Sequence, residues 1–362
     1  MNITRPTIME VDLKSFEHNV QEIQKYIGND IKMMPVVKAN SYGTYINKVN
    51  EILNKFDIVA VAIVDEAIEL RRQGYKKEIF ILNQPAKQEI ENVVKYDITI
   101  GVCDLSFLKE LGKINKNVKI HLEIDSGMGR TGINHKNIVN FIEELNLYNN
   151  IKMEGIYTHL SSADIDFEYT QNQIDIFDKC VNEAQSLLGK IKYIHCSASN
   201  GILNFKNSHY NLVRPGIILY GYESCENTFE KMNLKPVTKL KSKVTFLKEV
   251  EKDTSIGYSR KFITTKKTKV ATVPIGYADG LSRLCSNKSY VVINGKKAPI
   301  IGNVCMDSIM IDVTDIENVF VDTDVYIWDN ELIKVEEIAQ NCHTINYEIL
   351  STISNRVPRI FI

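Results

Sequence analysis

Apolar positions along the chain fall into short runs separated by stretches of helical periodicity. In the first two-thirds the runs are MMPVVKAN, DIVAVAIV, EIFILNQ, DITIGVCD, IHLEIDSG, MEGIYTHLSS, YIHCSAS and LVRPGIILYG, eight in all. Between them lie segments with apolar residues at i, i+3 and i+4, such as YINKVNEILNKF, VDEAIELRRQG, KQEIENVVKY and NIVNFIEELNLY. Strand–helix alternation repeated eight times predicts a (β/α)8 barrel, with a doubly wound open sheet as the main rival. Near Met232 the pattern changes to short alternating strands and turns: KLKSKVTFLKEV, KVATVPIGYADG, YVVINGKKAPIIGNVCMDSIMIDV and VYIWD. Asn294-Gly295, set between VVI and an apolar return strand, predicts a hairpin turn. The chain is therefore read as α/β, an N-terminal TIM-type barrel over residues 1–232 followed by a mostly β domain over residues 233–362 that ends in RVPRIFI. Neither an internal repeat nor a low-complexity tract interrupts it.

Composition narrows the class without choosing a function. The 362 residues hold ample material for a buried core, and 44% hydrophobic against 25% charged residues is ordinary for a soluble globular protein. Lys plus Arg number 44 against 45 for Asp plus Glu, a formal charge of -1, which argues against a broad grip on nucleic acid or anionic membrane. The seven cysteines are Cys103, Cys180, Cys196, Cys225, Cys285, Cys305 and Cys342. They form no CxxC, and an odd, scattered set suits reduced thiols better than a disulfide framework. The opening MNITRPTIMEVDL lacks an apolar signal core, and no run approaches the roughly 20 apolar residues of a membrane span. The expectation is a cytoplasmic protein.

Several of the barrel runs finish in polar residues, where strands end and chemistry gathers in such a fold. Lys38 and Asn40 close the first run, Asp125 the fifth, His159 with Ser161 and Ser162 the sixth, and Ser197 and Ser199 the seventh, while Arg214 sits in the eighth. The period of two places His121, Glu123 and Asp125 on one face of the fifth strand and Leu122 and Ile124 on the other. A lone lysine after a strand is usually a surface group, and a lone histidine a satisfied core group. Coincidence at the ends of five strands is what argues for a site.

A lysine at the end of the first strand can form a Schiff base once desolvated or placed near other cations. Glycines and serines in SASNG and RPGI offer backbone N–H groups and small hydroxyls to a phosphate. An arginine cannot release its proton, so Arg214 beside a pyridine nitrogen would leave that nitrogen unprotonated. Together these point to pyridoxal phosphate (PLP). No His, Cys and Asp/Glu spacing suggests a metal.

Eight segments, VVKANSYG, EIDSGMGRTGI, THLSSAD, VRPGIILYG, IGYSRKF, PIGYADG, GNVCMD and TISNRVPRIF, resemble in this order the motifs of bacterial alanine racemases, over nearly the whole chain. The resemblance implies a fold-type III PLP enzyme that works as a head-to-tail homodimer with shared active sites. By it, Lys38 is the Schiff-base lysine and Tyr258 the second catalytic base, delivered from the other subunit. Arg214 matches the pyridine-nitrogen arginine and His159 the histidine packed near the cofactor ring. Tyr42, Ser199 and the N–H groups of Gly216 and Ile217 match phosphate contacts. Met306 matches a backbone N–H on the substrate carboxylate and Arg130 a side chain near the same end. Tyr277, Arg283 and Asp164 fall where the family lines the route by which substrate arrives. The implied reaction is two-base racemisation of alanine, supplying D-amino acids for peptidoglycan. The initial methionine favours a complete gene product over the soluble part of a membrane-bound racemase.

Three departures qualify the resemblance. Many members carry, at the position of Glu123, a lysine whose carbamate orients the following arginine; here a glutamate supplies a carboxylate directly and is expected to hold Arg130 or another base. HCSAS replaces a motif closer to HxANS, and SNGILNF looks more like the racemase domains of vancomycin-resistance serine racemases. Asn355 stands where the family normally has tyrosine, which leaves more room and adds an amide that could bond a serine hydroxyl. Activity on both alanine and serine is therefore expected. A broad-specificity or basic amino-acid racemase is the alternative enzyme. A decarboxylase of the same fold type is disfavoured by Arg214, and a non-catalytic PLP-binding protein by the β domain and Tyr258.

Overall fold

The computed structural model describes residues 4–224 and 228–362, so Cys225 lies outside the described residues. Two compact units emerge, residues 17–41 with 46–234, and residues 4–16 with 42–45 and 235–362. They divide near residue 234, and the second takes in two N-terminal segments that the sequence pattern places with the barrel.

In the first unit, eight strands form one ring: Lys32–Met33, Ile58–Val61, Glu78–Ile81, Thr99–Val102, Val118–Asp125, Ile151–Tyr157, Tyr193–His195 and Leu212–Val213. The second to seventh pair in sequence order, all parallel. Leu212–Val213 pairs with Lys32–Met33, Val36 bridges to Ala60, and the Arg214 N–H donates to the Ser197 carbonyl at 2.9 Å. Each apolar run is thus one barrel strand, and the barrel closes. Leu122 and Ile124 are buried on one face of the fifth strand. On its other face His121 stacks on Phe80, with centroids 4.3 Å apart, and bonds to His195 at 2.9 Å. Phe80, His121 and His195 come from the third, fifth and seventh strands, the alternate-strand layering of a filled barrel interior.

The helices Val64–Arg72, Ile90–Lys95 and Ile138–Leu145 lie where apolar periodicity puts them. YINKVNEILNKF, in contrast, yields only a 3-10 turn, Ile46–Lys48, and a short helix, Asn50–Leu53, because the chain enters it from a left-handed turn. The helix Phe167–Leu188 is the longest. Its inner face buries Thr170 and Gln173 beside Ile174, Phe177 and Val181, so its apolar stripe is diluted in the sequence. Asp166 caps it, accepting from the Tyr169 N–H at 3.0 Å.

The second unit is mostly β. A six-stranded sheet runs Lys296–Pro299, Tyr290–Ile293, Asp324–Trp328, Thr238–Lys243, Ile8–Val11, Arg359–Phe361. Ile8–Val11 is antiparallel to Thr238–Lys243 and parallel to Arg359–Phe361, which explains why the N-terminal segment belongs here. KLKSKVTFLKEV divides between sheets: Phe246–Val250 joins Thr268–Val273 and Ile309–Asp312 in a three-stranded sheet. Asn294 and Gly295 both have positive φ (48° and 70°), as the predicted tight hairpin requires. The six described cysteines are free thiols. Among the described residues, no helix is long and apolar enough to cross a membrane.

Candidate active site

Lys38 follows the first barrel strand and opens an unusual turn: Ala39, Asn40, Ser41 and Tyr42 all have φ between 52° and 55°. Side chains of L-residues crowd the backbone in this left-handed basin, at a cost of roughly 1–2 kcal/mol each. The turn is held at both ends. The Ala39 N–H donates to Glu66 Oε1 at 2.6 Å, while Glu66 Oε2 accepts from the Ala62 N–H at 2.9 Å. Ser41 Oγ accepts from the Asn47 N–H at 2.8 Å. The Lys38 side chain has no hydrogen-bond or ion-pair partner among the described residues. Burial, reinforced by Arg130 and Arg214, pushes its ammonium below the usual lysine range against the opposing charge of Glu66.

Arg214 is 2% exposed, and all its side-chain acceptors are neutral. Its Nη1 donates to His195 Nδ1 at 2.8 Å; its Nη2 donates to the Thr158 and Cys196 carbonyls, both at 2.8 Å, and to His159 Nδ1 at 3.3 Å. A guanidinium only donates, so both histidines must accept at Nδ1. His195 then carries its proton on Nε2 and gives it to His121 Nδ1 at 2.9 Å. His121 is left with an Nε2–H that is buried and has no acceptor. The arginine therefore fixes the tautomer of two rings in succession. Burial, with Arg214 nearby, holds His195 well below its usual pKa, and burial takes His121 and His159 down to about 3.

Folded His121 takes up a proton only near pH 3, whereas the unfolded chain binds one below about 6.5. The unfolded state thus holds more protons between these values, and stability falls as pH drops through the window. Each such histidine contributes a slope of up to about 1.4 kcal/mol per pH unit. Denaturant unfolding at pH 7 and pH 5 should show this loss, and His121→Phe should flatten the slope even if it lowers stability at both.

Glu123 is buried on the inner face of the fifth strand, as the alternation predicts. Among the described residues no direct bond joins it to Arg130: Oε1 accepts from Thr131 Oγ1 at 2.8 Å, Oε2 has no hydrogen-bond partner there, and Arg130 is exposed. The backbone explains the change. Ile133–Asn134 pairs in parallel with Ile124–Asp125, which returns the chain beside Glu123 at Thr131 and leaves Arg130 on the outer side of the turn. Burial raises the Glu123 pKa against the Thr131 bond, the nearby Tyr157 hydroxyl, which itself donates to Leu82 O at 2.8 Å, and the two arginine charges. Asp125 caps its own turn, accepting from the Gly127 and Gly129 N–H groups, both at 3.0 Å.

Ser199 opens the helix Ser199–Asn204 and accepts at Oγ from the Gly216 N–H at 3.1 Å. That N–H is committed, so donors for an anion fall to the Ser199 hydroxyl and the first N–H groups of the 3-10 turn Ile217–Tyr220, which have no intrahelical acceptor. Asp164 is exposed before the cap of the long helix. This unit thus brings Lys38, His159, Ser199, Arg214, Gly216 and Ile217 to strand ends of one barrel. His195 was not among the expected site residues. Its signal is its place two residues before Ser197 on the same strand face.

In the second unit, Tyr258 projects from the hairpin Ser255–Ile256 and Phe262–Ile263, is 69% exposed, and its side chain has no partner among the described residues. Asn303 holds its carbonyl at 2.9 Å. Tyr277 and Met306 are juxtaposed: the Tyr277 N–H donates to Cys305 O and the Ala278 N–H to Met306 O, both at 3.0 Å. The N–H of Met306 itself has no acceptor among the described residues, and the residue is 52% exposed. Arg283 is exposed on the turn Arg283–Cys285. Tyr42 is buried with its ring 5.9 Å from that of Tyr347. Asn355 is hydrogen-bonded at Oδ1 by the Tyr45 hydroxyl. No group of three or more His, Cys, Asp or Glu suited to a metal occurs among the described residues.

Comparison with known proteins agrees across the whole chain. Residues 11–224 match the alanine racemase N-terminal domain family and residues 237–361 the alanine racemase C-terminal domain family. The alanine racemase of Halothermothrix orenii is 40% identical over 367 residues, covering 99% of this chain and 97% of that protein. Alanine racemase 2 of Caldanaerobacter subterraneus subsp. tengcongensis is 40% identical over 369 residues, covering 99% and 95%. Among solved structures, alanine racemase from Clostridium difficile has a TM-score of 0.96 at 34% identity, covering 100% of this chain and 97% of that one. The Bacillus anthracis alanine racemase with bound L-Ala-P has a TM-score of 0.93 at 34% identity, covering 100% and 96%.

Proposed function

The chain belongs to the alanine racemase family, and from that premise we propose that it interconverts L- and D-alanine, and L- and D-serine, with PLP as cofactor. The observation that carries the reading is Lys38: an amine at a barrel strand end, kept from ion pairing and pushed toward its neutral form by burial and two arginines. The donor set fits PLP. Lys38 would hold it covalently, the donor-only Arg214 suits an unprotonated ring nitrogen, and Ser199, Ile217 and Tyr42 suit its phosphate. Bound there, PLP supplies the electron sink that makes an amino acid's Cα–H acidic.

Racemisation needs a proton removed from one face of Cα and returned to the other. Lys38 is the base for one face, and Tyr258 of the partner subunit for the other. The exposure of Tyr258 and its lack of a side-chain partner suit delivery to a second protomer in a homodimer. The Met306 N–H, with no acceptor among the described residues, suits the substrate carboxylate; the family resemblance, not a contact in the structure, assigns Arg130 to the same end and Asp164, Tyr277 and Arg283 to the approach. Asn355 supports serine as a second substrate, because a site with an amide in place of the family's phenol can bond the extra hydroxyl. The free thiols suit a reducing cytoplasm, where D-alanine would feed peptidoglycan synthesis.

The test is to incubate the PLP-loaded protein with L-alanine, L-serine, L-lysine and L-arginine and resolve the enantiomers. D-Alanine and D-serine are expected; turnover of the basic amino acids alone would favour the broad-specificity alternative, and no turnover would overturn the reading. Asn355→Tyr should lower the serine-to-alanine ratio of kcat/KM roughly tenfold.

A further inference from the structure

We infer that Tyr45 is a specificity-determining residue, a phenol that fixes the Asn355 amide so that its NH2 end is the one offered to a substrate hydroxyl; the inference rests on the racemase reading above. The two residues are 310 positions apart and meet within the second unit, where the Tyr45 hydroxyl donates to Asn355 Oδ1. That bond commits the acceptor of the amide. The Nδ2 group of Asn355 keeps two N–H donors with no partner among the described residues.

The pair is clamped rather than incidental. Arg359 places its guanidinium over the Tyr45 ring, 4.5 Å from the centroid. The same guanidinium donates to Gly43 O at 2.9 Å, to Ile353 O and Ser354 O at 2.7 Å, and to Val357 O at 2.6 Å. One planar cation thus ties the turn bearing Tyr45 to the turn bearing Asn355. Gly43 makes the close approach possible: with φ of 79°, a Cβ there would fall 2.2 Å from the Leu350 carbonyl. Tyr45 itself sits at a φ of 63°, a conformation uncommon for an aromatic residue and so maintained by these contacts.

The chemical consequence concerns the β-substituent of the substrate. Two amide donors can satisfy the lone pairs of a serine hydroxyl, whereas the methyl of alanine leaves them unpaired. The phenol of residue 45 thus stands directly against the Asn355 amide and leaves its NH2 end as the donor.

The experiment compares kcat/KM for alanine and serine in the PLP-loaded wild type, Tyr45→Phe, Asn355→Ala and the double variant. Tyr45→Phe keeps the ring under Arg359 and removes only the hydroxyl, which frees the amide to rotate. The serine-to-alanine ratio should fall roughly two- to tenfold, chiefly through KM for serine. Adding Tyr45→Phe to Asn355→Ala should lower the ratio no further. Should Tyr45→Phe fail to fold, Arg359→Lys removes the planar clamp and should move the ratio in the same direction. A ratio unchanged in Tyr45→Phe but lowered in Asn355→Ala would overturn the inference and leave the serine reading intact. A wild type that turns over alanine and not serine would remove the serine reading, and this inference with it.

Discussion

Lys38→Ala should fold and bind little PLP, losing racemase activity by a factor on the order of 10²–10⁴ or more, because covalent attachment and one base disappear together. The Lys38 ammonium has no ion-pair partner among the described residues, so its removal breaks no salt bridge there, and it relieves burial of the charge and repulsion with Arg130 and Arg214 at the loss of the Glu66 attraction. Melting temperature should therefore hold or rise, and visible absorbance from lysine-bound PLP should be lost. In the wild type, the fraction of free amine should follow a pKa below 10.5, and Arg130→Leu should move that pKa upward. A Lys38→Ala protein that racemises alanine normally would remove Lys38 from the chemistry.

Tyr258→Phe should cost a comparable factor in racemisation in both directions, since inversion needs both faces of Cα. Its signature is different. With Lys38 intact, one enantiomer should still exchange its Cα proton with heavy water while keeping its configuration. The two variants also test the shared site. Mixed in equal amounts and allowed to exchange subunits, Lys38→Ala and Tyr258→Phe protomers should, on the proposed shared-site homodimer, form heterodimers with one complete site of two. Activity should recover to about a quarter of the wild-type rate. Failure to recover in a demonstrably exchanged mixture would place Tyr258 in its own protomer's chemistry or outside it. Folding is not at stake, because the Tyr258 side chain is exposed and has no hydrogen-bond partner among the described residues.

The barrel was legible because its strands are buried on both faces and so read as unbroken apolar runs, one run per strand. The hairpin at Asn294-Gly295 was legible because positive φ is a local demand with a local residue solution. What escaped is non-local. Nothing in MEV foretells that Ile8–Val11 pairs with Thr238–Lys243 and Arg359–Phe361. Residues 167–188 hid a long helix because Thr170 and Gln173 stand on its buried face. In the candidate site, Lys38 and Arg214 declared themselves by being charged at strand ends. His195 gained its role only through the direction in which a guanidinium must donate. The resemblance pairs Glu123 with Arg130 or another base, whereas the direct bond in the structure is to Thr131, which the short strand Ile133–Asn134 brings beside the carboxylate.

The turn after Lys38 has a consequence in the language of handedness. Residues 39–42 sit in the mirror image of the right-handed helical basin, the region that D-residues favour and L-residues avoid. At those angles a D-alanine in place of Ala39 would relieve the crowding that the L-residue endures. The four residues together cost about 4–8 kcal/mol locally, an amount comparable to the whole net stability of a typical domain. Glycine would relax the backbone equally well, yet it would forfeit the Ser41 bond to Asn47 and the Tyr42 packing on Tyr347. A member of the alanine racemase family thus carries, next to its candidate catalytic lysine, a short stretch of chain already folded as though it were D.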